Sequence, residues 1–148
     1  MGQGTHTTLA ALVEEELDLA RDQFRVLHGP PARAYYNSAL LREGVPFAPT
    51  NEGWLAETVR DATDVPARFL GLQLTGGSTS IPDAYEKMRV AGAGARAALV
   101  RAASVRIGVA ESALKTEAGA VIAPDGTRID YRDLAADAAR MELPEAPP

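Results

Sequence analysis

Two short motifs, separated by about 70 residues, carry residue types that suit phosphate binding. The first is Met-Gly-Gln-Gly-Thr-His-Thr-Thr at residues 1–8, and the second is Thr-Gly-Gly-Ser-Thr-Ser at residues 75–80. Each motif places glycines, hydroxyls or amides at or near a predicted helix start, where backbone N–H groups without helical partners can hold an anion. Two such motifs in one small chain predict a cofactor with more than one phosphate, or one large cofactor contacted from two sides.

The candidate cofactor-binding residues are the glycines and polar residues of these two motifs. They are Gly2, Gln3, Gly4 and His6 in the first motif, and Gly76, Gly77, Ser78, Thr79 and Ser80 in the second. Plainer interpretations stay open. Gly-Gly-Ser also suits a turn that only starts a helix, an N-terminal segment can fray, and a histidine in a first helical turn is more often exposed than a ligand. We assign no catalytic residue and no metal-binding residue to the chain.

The composition narrows the class of protein. The chain has 148 residues, which suits one domain, and we expect that domain over 1–143 with an extended proline-rich tail over 144–148. A formal charge of -5 without a basic stretch argues against nucleic acid as a partner. Because the chain has no cysteine, it can form neither a disulfide nor an iron–sulfur cluster of its own. No apolar run approaches the roughly 20 residues of a membrane span.

Hydrophobic spacing and proline positions predict the elements of the first half of the chain. A helix is expected from the first threonines to about residue 20, followed by a short strand over 23–28. Prolines predict a long loop over 29–51 instead of a regular element. A helix is expected over 54–62, and the apolar stretch 69–74 fits either a strand or a helix end.

The second half opens with the longest predicted helix, from Pro82 or Asp83 to about Ser104, with Asp83 as its N-cap. Gly92 and Gly94 weaken this helix by up to about 1 kcal/mol each, so we expect another backbone or a ligand to approach closely there. Strands over 114–116, 120–123 and 127–131, a turn at 124–126 and a last helix over 133–141 follow. The predicted fold class is α+β, with about three helices packed on short mixed or antiparallel strands.

The two motifs resemble those of the molybdopterin-binding large subunit of the xanthine dehydrogenase and aldehyde oxidase family, in particular its isoquinoline 1-oxidoreductase beta-subunit type. Members carry Met-Gly-Gln-Gly, a hydroxyl-rich helix start and Glu-Glu-Leu, which are residues 1–8 and 15–17 here. Members of this branch also carry a Gly-Gly-Ser-Thr-Ser loop, here residues 76–80.

The resemblance continues through the second half of the chain. After the glycine loop come an aromatic residue, an arginine and an Ala-Gly-Ala run, here Tyr85, Arg89 and residues 91–93. A Glu-Ala-Gly-X-Val segment and a glycine turn then lead to Tyr131 and to Leu-Ala at 134–135. Both motifs, in this order and with this ending, are fairly specific for the family.

The resemblance implies a molybdenum–molybdopterin cofactor, in bacterial members usually the cytosine dinucleotide form. Such proteins hydroxylate an N-heterocycle or an aldehyde with water, and electrons leave through an iron–sulfur small subunit. By motif position, Gln3 would contact the molybdenum end of the cofactor and Gly4 the pterin or its phosphates. The loop at 76–80 would wrap the dinucleotide or pterin side.

The chain also departs from the family pattern. Family large subunits are several times longer, and their general base is a glutamate in a Gly-X-Gly-Glu setting that does not occur here. We therefore expect a fragment, a split-gene product or a truncated reading frame that needs the remainder of the large subunit, and an apolar patch where that remainder sits. No targeting segment is visible in the chain, and the resemblance allows either the cytoplasm or the periplasm.

Two alternatives to a cofactor-binding segment remain. One is a non-catalytic interaction or structural domain that has the family's fold and no cofactor. The other is an unrelated small enzyme that binds a nucleotide through the glycine loop, although the chain lacks the lysine of a phosphate-binding loop and an evident acid–base or nucleophile set.

Overall fold

The structure, a computed structural model, describes residues 4–21, 23–30, 32–74, 76 and 78–143. The chain divides into two compact units, the first formed by 1–26 and 87–148 and the second by 27–86. One cofactor-binding domain over 1–143 stays a prediction. The predicted proline-rich tail at 144–148 lies outside the described residues.

Helices and one small sheet make up the described part of the chain. The helices are α1 (Thr5–Glu16), α2 (Ala39–Glu43), α3 (Trp54–Ala62), α4 (Asp64–Leu70), α5 (Ser80–Ile107) and α6 (Tyr131–Ala138). Short 3-10 helices occur at Arg33–Tyr35 and Glu111–Ala113, and the strands are β1 (Lys115–Glu117), β2 (Ala120–Ile122) and β3 (Arg128–Asp130). The predicted α+β class is confirmed, with more helices than the three expected.

The sheet lies in the first unit and is an antiparallel meander in the order β1-β2-β3. Thr116 pairs with Val121, and Val121 pairs with Ile129. The core of the unit joins this sheet to two helices through Leu99, Ala102, Ala103, Val121, Tyr131 and Leu134. Two of the three core residues from α5, Ala102 and Ala103, have small side chains.

The strand predicted over 23–28 is wrong, because these residues have no strand partner in the structure. The side-chain oxygen of Gln23 accepts a hydrogen bond from the amide of Ala20 at 2.8 Å, and its nitrogen donates to the carbonyl of Ala118 at 2.9 Å. These bonds fasten the start of the segment to the turn between β1 and β2. The alternating pattern alone did not distinguish this irregular connection from a strand.

The end of α1 differs from the prediction, and α5 and α6 also begin and end at other residues than predicted. Helix α1 ends at Glu16 rather than near residue 20, and Asp18 adopts a left-handed φ of 48°. The carbonyl of Asp18 instead accepts a hydrogen bond from the amide of Gly119 at 2.8 Å. Helix α4 ends at Leu70, so the apolar stretch at 69–74 is a helix end followed by irregular chain.

The predicted loop over 29–51 contains a 3-10 helix and α2. Helix α2 has five residues, and so short a helix has little stability of its own. The carboxylate of Asp83, which is distant in sequence, accepts hydrogen bonds from the amides of Ser38 and Ala39 and so holds its start. Local propensity therefore gave no signal for it.

Tyr131 is a buried polar residue at the start of α6. Its hydroxyl has no hydrogen-bond partner within the described chain, and burial raises the pKa of Tyr131 to about 12. The phenol is therefore protonated at physiological pH. Its contribution to the core comes from the ring, which packs with Val121 and Leu134.

Close packing of α1 on α5 takes place at Gly92. A Cβ atom added to Gly92 would lie 2.7 Å from Cβ of Glu16 and 3.6 Å from Cα of Val13. Glu16 also pairs with Arg89 at 2.5 Å, which fixes the same helix contact. The expected close approach of another backbone is confirmed at Gly92. A Cβ atom added to Gly94 would meet nothing within 4 Å.

These two glycines make a matched pair of variants. We expect Gly92→Ala to lower the free energy of unfolding by about 1–3 kcal/mol, because the new methyl group overlaps Glu16. Gly94→Ala should raise it by up to about 1 kcal/mol, because it gains helix propensity without a clash. Urea denaturation followed by circular dichroism measures both. Equal effects of the two substitutions would contradict this packing of α1 on α5.

Candidate functional site

The second motif forms a turn that leads directly into α5. The amide of Thr79 donates to the carbonyl of Gly76 at 3.1 Å, and the amide of Asp83 donates to the carbonyl of Thr79 at 3.1 Å. Ser78 is exposed and has a left-handed φ of 65°, which is uncommon for a residue other than glycine. The loop therefore presents the Ser78 side chain to solvent at the helix start.

The start of α5 offers fewer amide donors than an ordinary helix start. Pro82 has no N–H group, and the amides of Thr79 and Asp83 are already used. Among the described residues, Ile81 contributes an N–H group to the first turn ahead of the proline. An anion held here therefore needs donors from the loop as well as from the helix.

A buried asparagine holds both ends of this glycine loop. The side-chain nitrogen of Asn37 donates to the carbonyl of Leu74 at 2.8 Å and to Oγ1 of Thr79 at 3.1 Å. Thr79 is fully buried and Asn37 is 8% exposed. Unmet donors at such a site would be costly, so the amide of Asn37 specifies the positions of both loop ends.

The side-chain oxygen and the backbone amide of Asn37 make two further hydrogen bonds. Oδ1 of Asn37 accepts from the amide of Ala39 at 3.0 Å, and the amide of Asn37 donates to the carbonyl of Leu72 at 2.7 Å. These bonds fix the segment before α2 against the chain that leads into the loop. All hydrogen bonds of the cluster lie within the second unit.

Asp83 has a different role from the one predicted. It lies within α5, which begins at Ser80, so the predicted N-cap at Asp83 is wrong. Its Oδ1 accepts from the amide of Ser38 at 2.7 Å, from Oγ of Ser38 at 3.1 Å and from the amide of Ala39 at 3.3 Å. The carboxylate thus satisfies N–H groups at the start of α2 and fastens α2 beside the loop.

The first motif leads into α1 in the first unit. Gly4 is the N-cap with a left-handed φ of 76°, a conformation that glycine adopts without strain, and its carbonyl accepts from the amide of Thr8 at 2.9 Å. His6 is exposed in the first turn. Gly2, Gln3 and Gly77, three of the candidate residues, lie outside the described residues.

An open cleft of about 790 Å³ runs along the exposed side of α1. Its lining residues are His6, Thr7, Ala10, Ala11, Glu14, Glu15, Leu19, Arg21, Phe24 and Val26. The described candidate residues fall in both units. Gly4 and His6 belong to the first unit, and Gly76, Ser78, Thr79 and Ser80 belong to the second.

Four arginines of α5 are engaged in ion pairs, among them Arg106 with Asp137 at 2.5 Å. Arg89 contacts Glu16 at 2.5 Å, Arg96 contacts Asp18 at 3.8 Å, and Arg101 contacts Glu111 at 3.2 Å. These cations therefore balance carboxylates of the first unit.

Metal-binding clusters and membrane-spanning helices do not occur in the described part of the chain. Among residues 4–21, 23–30, 32–74, 76 and 78–143, no group of three or more His, Cys, Asp or Glu side chains is arranged to hold a metal ion. Within the same ranges, no helix combines the length and the apolar character needed to cross a membrane.

Two curated proteins are similar to this chain. The chain is 30% identical over 149 residues to the beta subunit of isoquinoline 1-oxidoreductase from Brevundimonas diminuta. This alignment covers 100% of the chain and 15% of that protein. It is 31% identical over 134 residues to a nicotinate dehydrogenase subunit from Pseudomonas putida, which covers 90% of the chain and 8% of that protein. The chain is a distant relative of these oxidoreductase subunits.

Both relatives are much longer than this chain. The chain spans 15% and 8% of their lengths, so their whole-protein activities are not carried over directly. No family model matches the chain, and no solved structure matches it. The name of each relative describes it as one subunit of an enzyme. Each name also contains an N-heterocyclic compound, isoquinoline or nicotinate.

Sequence reasoning missed Asn37, Ser38 and the role of Asp83. Asn37 and Ser38 fall in the segment that the prolines predicted to be a loop, and their partners lie 37 to 45 residues away along the chain. The only available signal was the presence of two polar residues beside the apolar run that becomes α2. That signal does not identify a partner.

Substitution of Asn37 tests this arrangement. Asn37→Ala removes three side-chain hydrogen bonds and leaves Oγ1 of Thr79 and the carbonyl of Leu74 without their donor. We expect the free energy of unfolding to fall by about 1–3 kcal/mol in urea denaturation.

The matched control is Asn51→Ala in the same unit. Asn51 is exposed and accepts one local hydrogen bond from the amide of Gly53 at 2.9 Å. Its substitution should change the free energy of unfolding by no more than about 0.5 kcal/mol. Equal losses in the two variants would show that Asn37 does not hold the loop.

Proposed function

We propose that the chain is the molybdopterin-binding segment of a molybdenum hydroxylase, an oxidoreductase that hydroxylates an N-heterocycle or an aldehyde with water. The segment acts with the remainder of a large subunit and with an iron–sulfur small subunit. The observation that carries the proposal is similarity over the chain's whole length to the beta subunit of isoquinoline 1-oxidoreductase.

The residues of the second motif suit the organic part of such a cofactor. Ser78 is exposed and can donate or accept a hydrogen bond, while Ile81 contributes an amide at the helix start. Thr79 faces inward, where Asn37 donates to its hydroxyl, so its role is to set the loop's shape. In this proposal the loop at 76–80, which includes Gly76, Gly77, Ser78, Thr79 and Ser80, lies against the pterin or dinucleotide, and the Thr79 side chain supports it from the inner side.

The first motif contributes the other group of residues. Gly4 turns the chain into α1, and His6 projects from its first turn beside the open cleft. By the family resemblance, Gln3 would contact the molybdenum end, where a glutamine side chain can donate a hydrogen bond to an oxo group, and Gly2 belongs to the same cofactor-binding motif. When bound, the cofactor supplies the redox and oxygen-transfer chemistry.

In this proposal the residues of this chain bind and orient the cofactor. The chain has no Gly-X-Gly-Glu motif to supply the family's general base. Proton abstraction is therefore assigned to the remainder of the large subunit. The cytosine dinucleotide form of the cofactor and the choice of a heterocycle or an aldehyde as substrate are parts of the same proposal.

A non-catalytic interaction domain is the second candidate, favoured by exposed apolar side chains in the second unit. Trp54 is 78% exposed, Phe69 is 74% exposed and Val65 is 70% exposed. Large exposed apolar residues in one small unit are typical of a surface that another polypeptide covers. The same observation agrees with the expected apolar patch of an incomplete large subunit.

Cofactor content of the assembled protein tests the proposal. The chain is co-expressed with the remaining large-subunit polypeptide and the molybdenum-cofactor maturation proteins, and the purified complex is analysed for molybdenum and for released cytidine nucleotide. We expect stoichiometric amounts of both, and a several-fold loss in Gln3→Ala and Ser78→Ala, because each removes a polar contact to the cofactor.

The matched control is Ser112→Ala, since Ser112 is an exposed serine in the 3-10 helix at Glu111–Ala113, away from both motifs in sequence. Its molybdenum and nucleotide contents should equal those of the unaltered complex. A complex that forms without either component would contradict the proposal and favour the interaction domain.

A further inference from the structure

Two arginines of the second unit line one open cleft. The cleft has a volume of about 510 Å³ and is lined by Arg33, Ala34, Tyr36 and Arg68. It shares no lining residue with the glycine loop at 76–80. A cleft of this size is in the range of small-molecule sites.

The second unit contains four arginines, and Arg33 and Arg68 differ from the other two in their ion pairing. Arg42 pairs with Asp61 at 2.7 Å, and Arg60 pairs with Glu57 at 2.5 Å. Within the described residues, the side chains of Arg33 and Arg68 have neither an ion pair nor a hydrogen-bond acceptor. Carboxylates outnumber arginines in this unit, so the two unmatched cations do not result from a shortage of anions.

The backbone around the cleft is fastened at several points. Gln73 donates through its side-chain nitrogen to the carbonyl of Ala32, and the amide of Asn37 donates to the carbonyl of Leu72. These bonds hold the chain on both sides of Arg33 against the segment that follows α4. The 3-10 helix at Arg33–Tyr35 and the end of α4 are therefore kept together.

Gly71 gives Arg33 its place in this arrangement. Gly71 ends α4 with a left-handed φ of 61°, and a Cβ atom added there would lie 2.9 Å from Cγ of Arg33. The stem of Arg33 therefore lies across the bare backbone at the end of α4. Arg68 is in the last turn of the same helix.

The nearest carboxylate on α4 is already engaged. The hydroxyl of Tyr36 donates to Oδ2 of Asp64 at 3.2 Å. Asp64 is four residues before Arg68, a spacing that suits an ion pair on a helix, yet no such pair forms between them in the described chain. Tyr36 thus holds Asp64, and Arg68 remains available at the cleft.

We propose that this cleft binds the oxyanionic group of a small ligand, a phosphate or a carboxylate, between the guanidinium groups of Arg33 and Arg68. A guanidinium group is a planar donor that matches both kinds of oxyanion with paired hydrogen bonds. Two of them in one cleft, held by a fixed backbone, favour a ligand with several acceptor oxygens. The proposal does not rest on the molybdenum cofactor, because free anions can be tested on the metal-free chain.

Calorimetric titration of the full chain measures this binding with two separate probes. Pyrophosphate represents the phosphate source and benzoate the carboxylate source. We expect saturable binding of at least one probe, weakened by at least about tenfold in the double variant Arg33→Gln/Arg68→Gln. The probe that binds identifies the source of the oxyanion.

Two further variants separate specific binding from general charge effects. Arg132→Gln removes one exposed positive charge from α6, outside the cleft, and should leave the affinity unchanged within about twofold. Arg33→Lys keeps the charge but loses the planar fork, so it should weaken binding while Arg132→Gln does not. Circular dichroism confirms that each variant keeps its helical content.

The proposal is overturned if neither probe binds saturably, or if the double variant binds as tightly as the unaltered chain. It is also overturned if Arg132→Gln weakens binding as much as the cleft variants, because the effect would then come from net charge alone. A loss of molybdenum content in the complex with unchanged anion binding would contradict only the proposed function.

Discussion

The buried side-chain amide of Asn37 is the constraint on which the candidate site depends. It donates to the chain on both sides of the glycine loop, at Leu74 and at Thr79, and the bond to Thr79 is buried, where an unmet donor would be costly. Both ends of the loop therefore have fixed positions before any ligand binds. Fixed loop ends lower the entropy lost when a ligand binds, which is the property that a cofactor site needs.

The carboxylate of Asp83 adds a second set of hydrogen bonds beside those of Asn37. The carboxylate of Asp83 accepts three hydrogen bonds at the start of α2, so a five-residue helix with little intrinsic stability is held in place. Because Asp83 belongs to α5, one carboxylate couples α2 to the helix that the loop precedes. Loss of the loop's shape and loss of α2 are therefore expected to occur together. The described residues of the first motif belong to the other unit.

The sequence predicted those features whose signals are local. The α+β class, helix α3 over 54–62, the three strands near the C-terminal end and the packing role of Gly92 follow from hydrophobic spacing, turn residues and a glycine inside a helix. Gly94 carries the same local signal as Gly92, but a Cβ atom added there would meet nothing within 4 Å, because the close neighbour of Gly92 comes from a distant part of the sequence. Asn37 was missed for the same reason, as its partners are distant in sequence. The segment at 23–28 alternates like a strand, yet Gln23 fixes its start by side-chain bonds that a periodicity does not reveal.

The most direct test of the account is hydrogen exchange at the side-chain amide of Asn37, followed by NMR on the ¹⁵N-labelled chain without ligand. If Asn37 holds the loop, its Nδ2 protons exchange slowly, while those of the exposed Asn51 exchange at the rate of a free side-chain amide. Equal and rapid exchange of both side chains would contradict the central claim that Asn37 holds both ends of the glycine loop in place before a ligand binds.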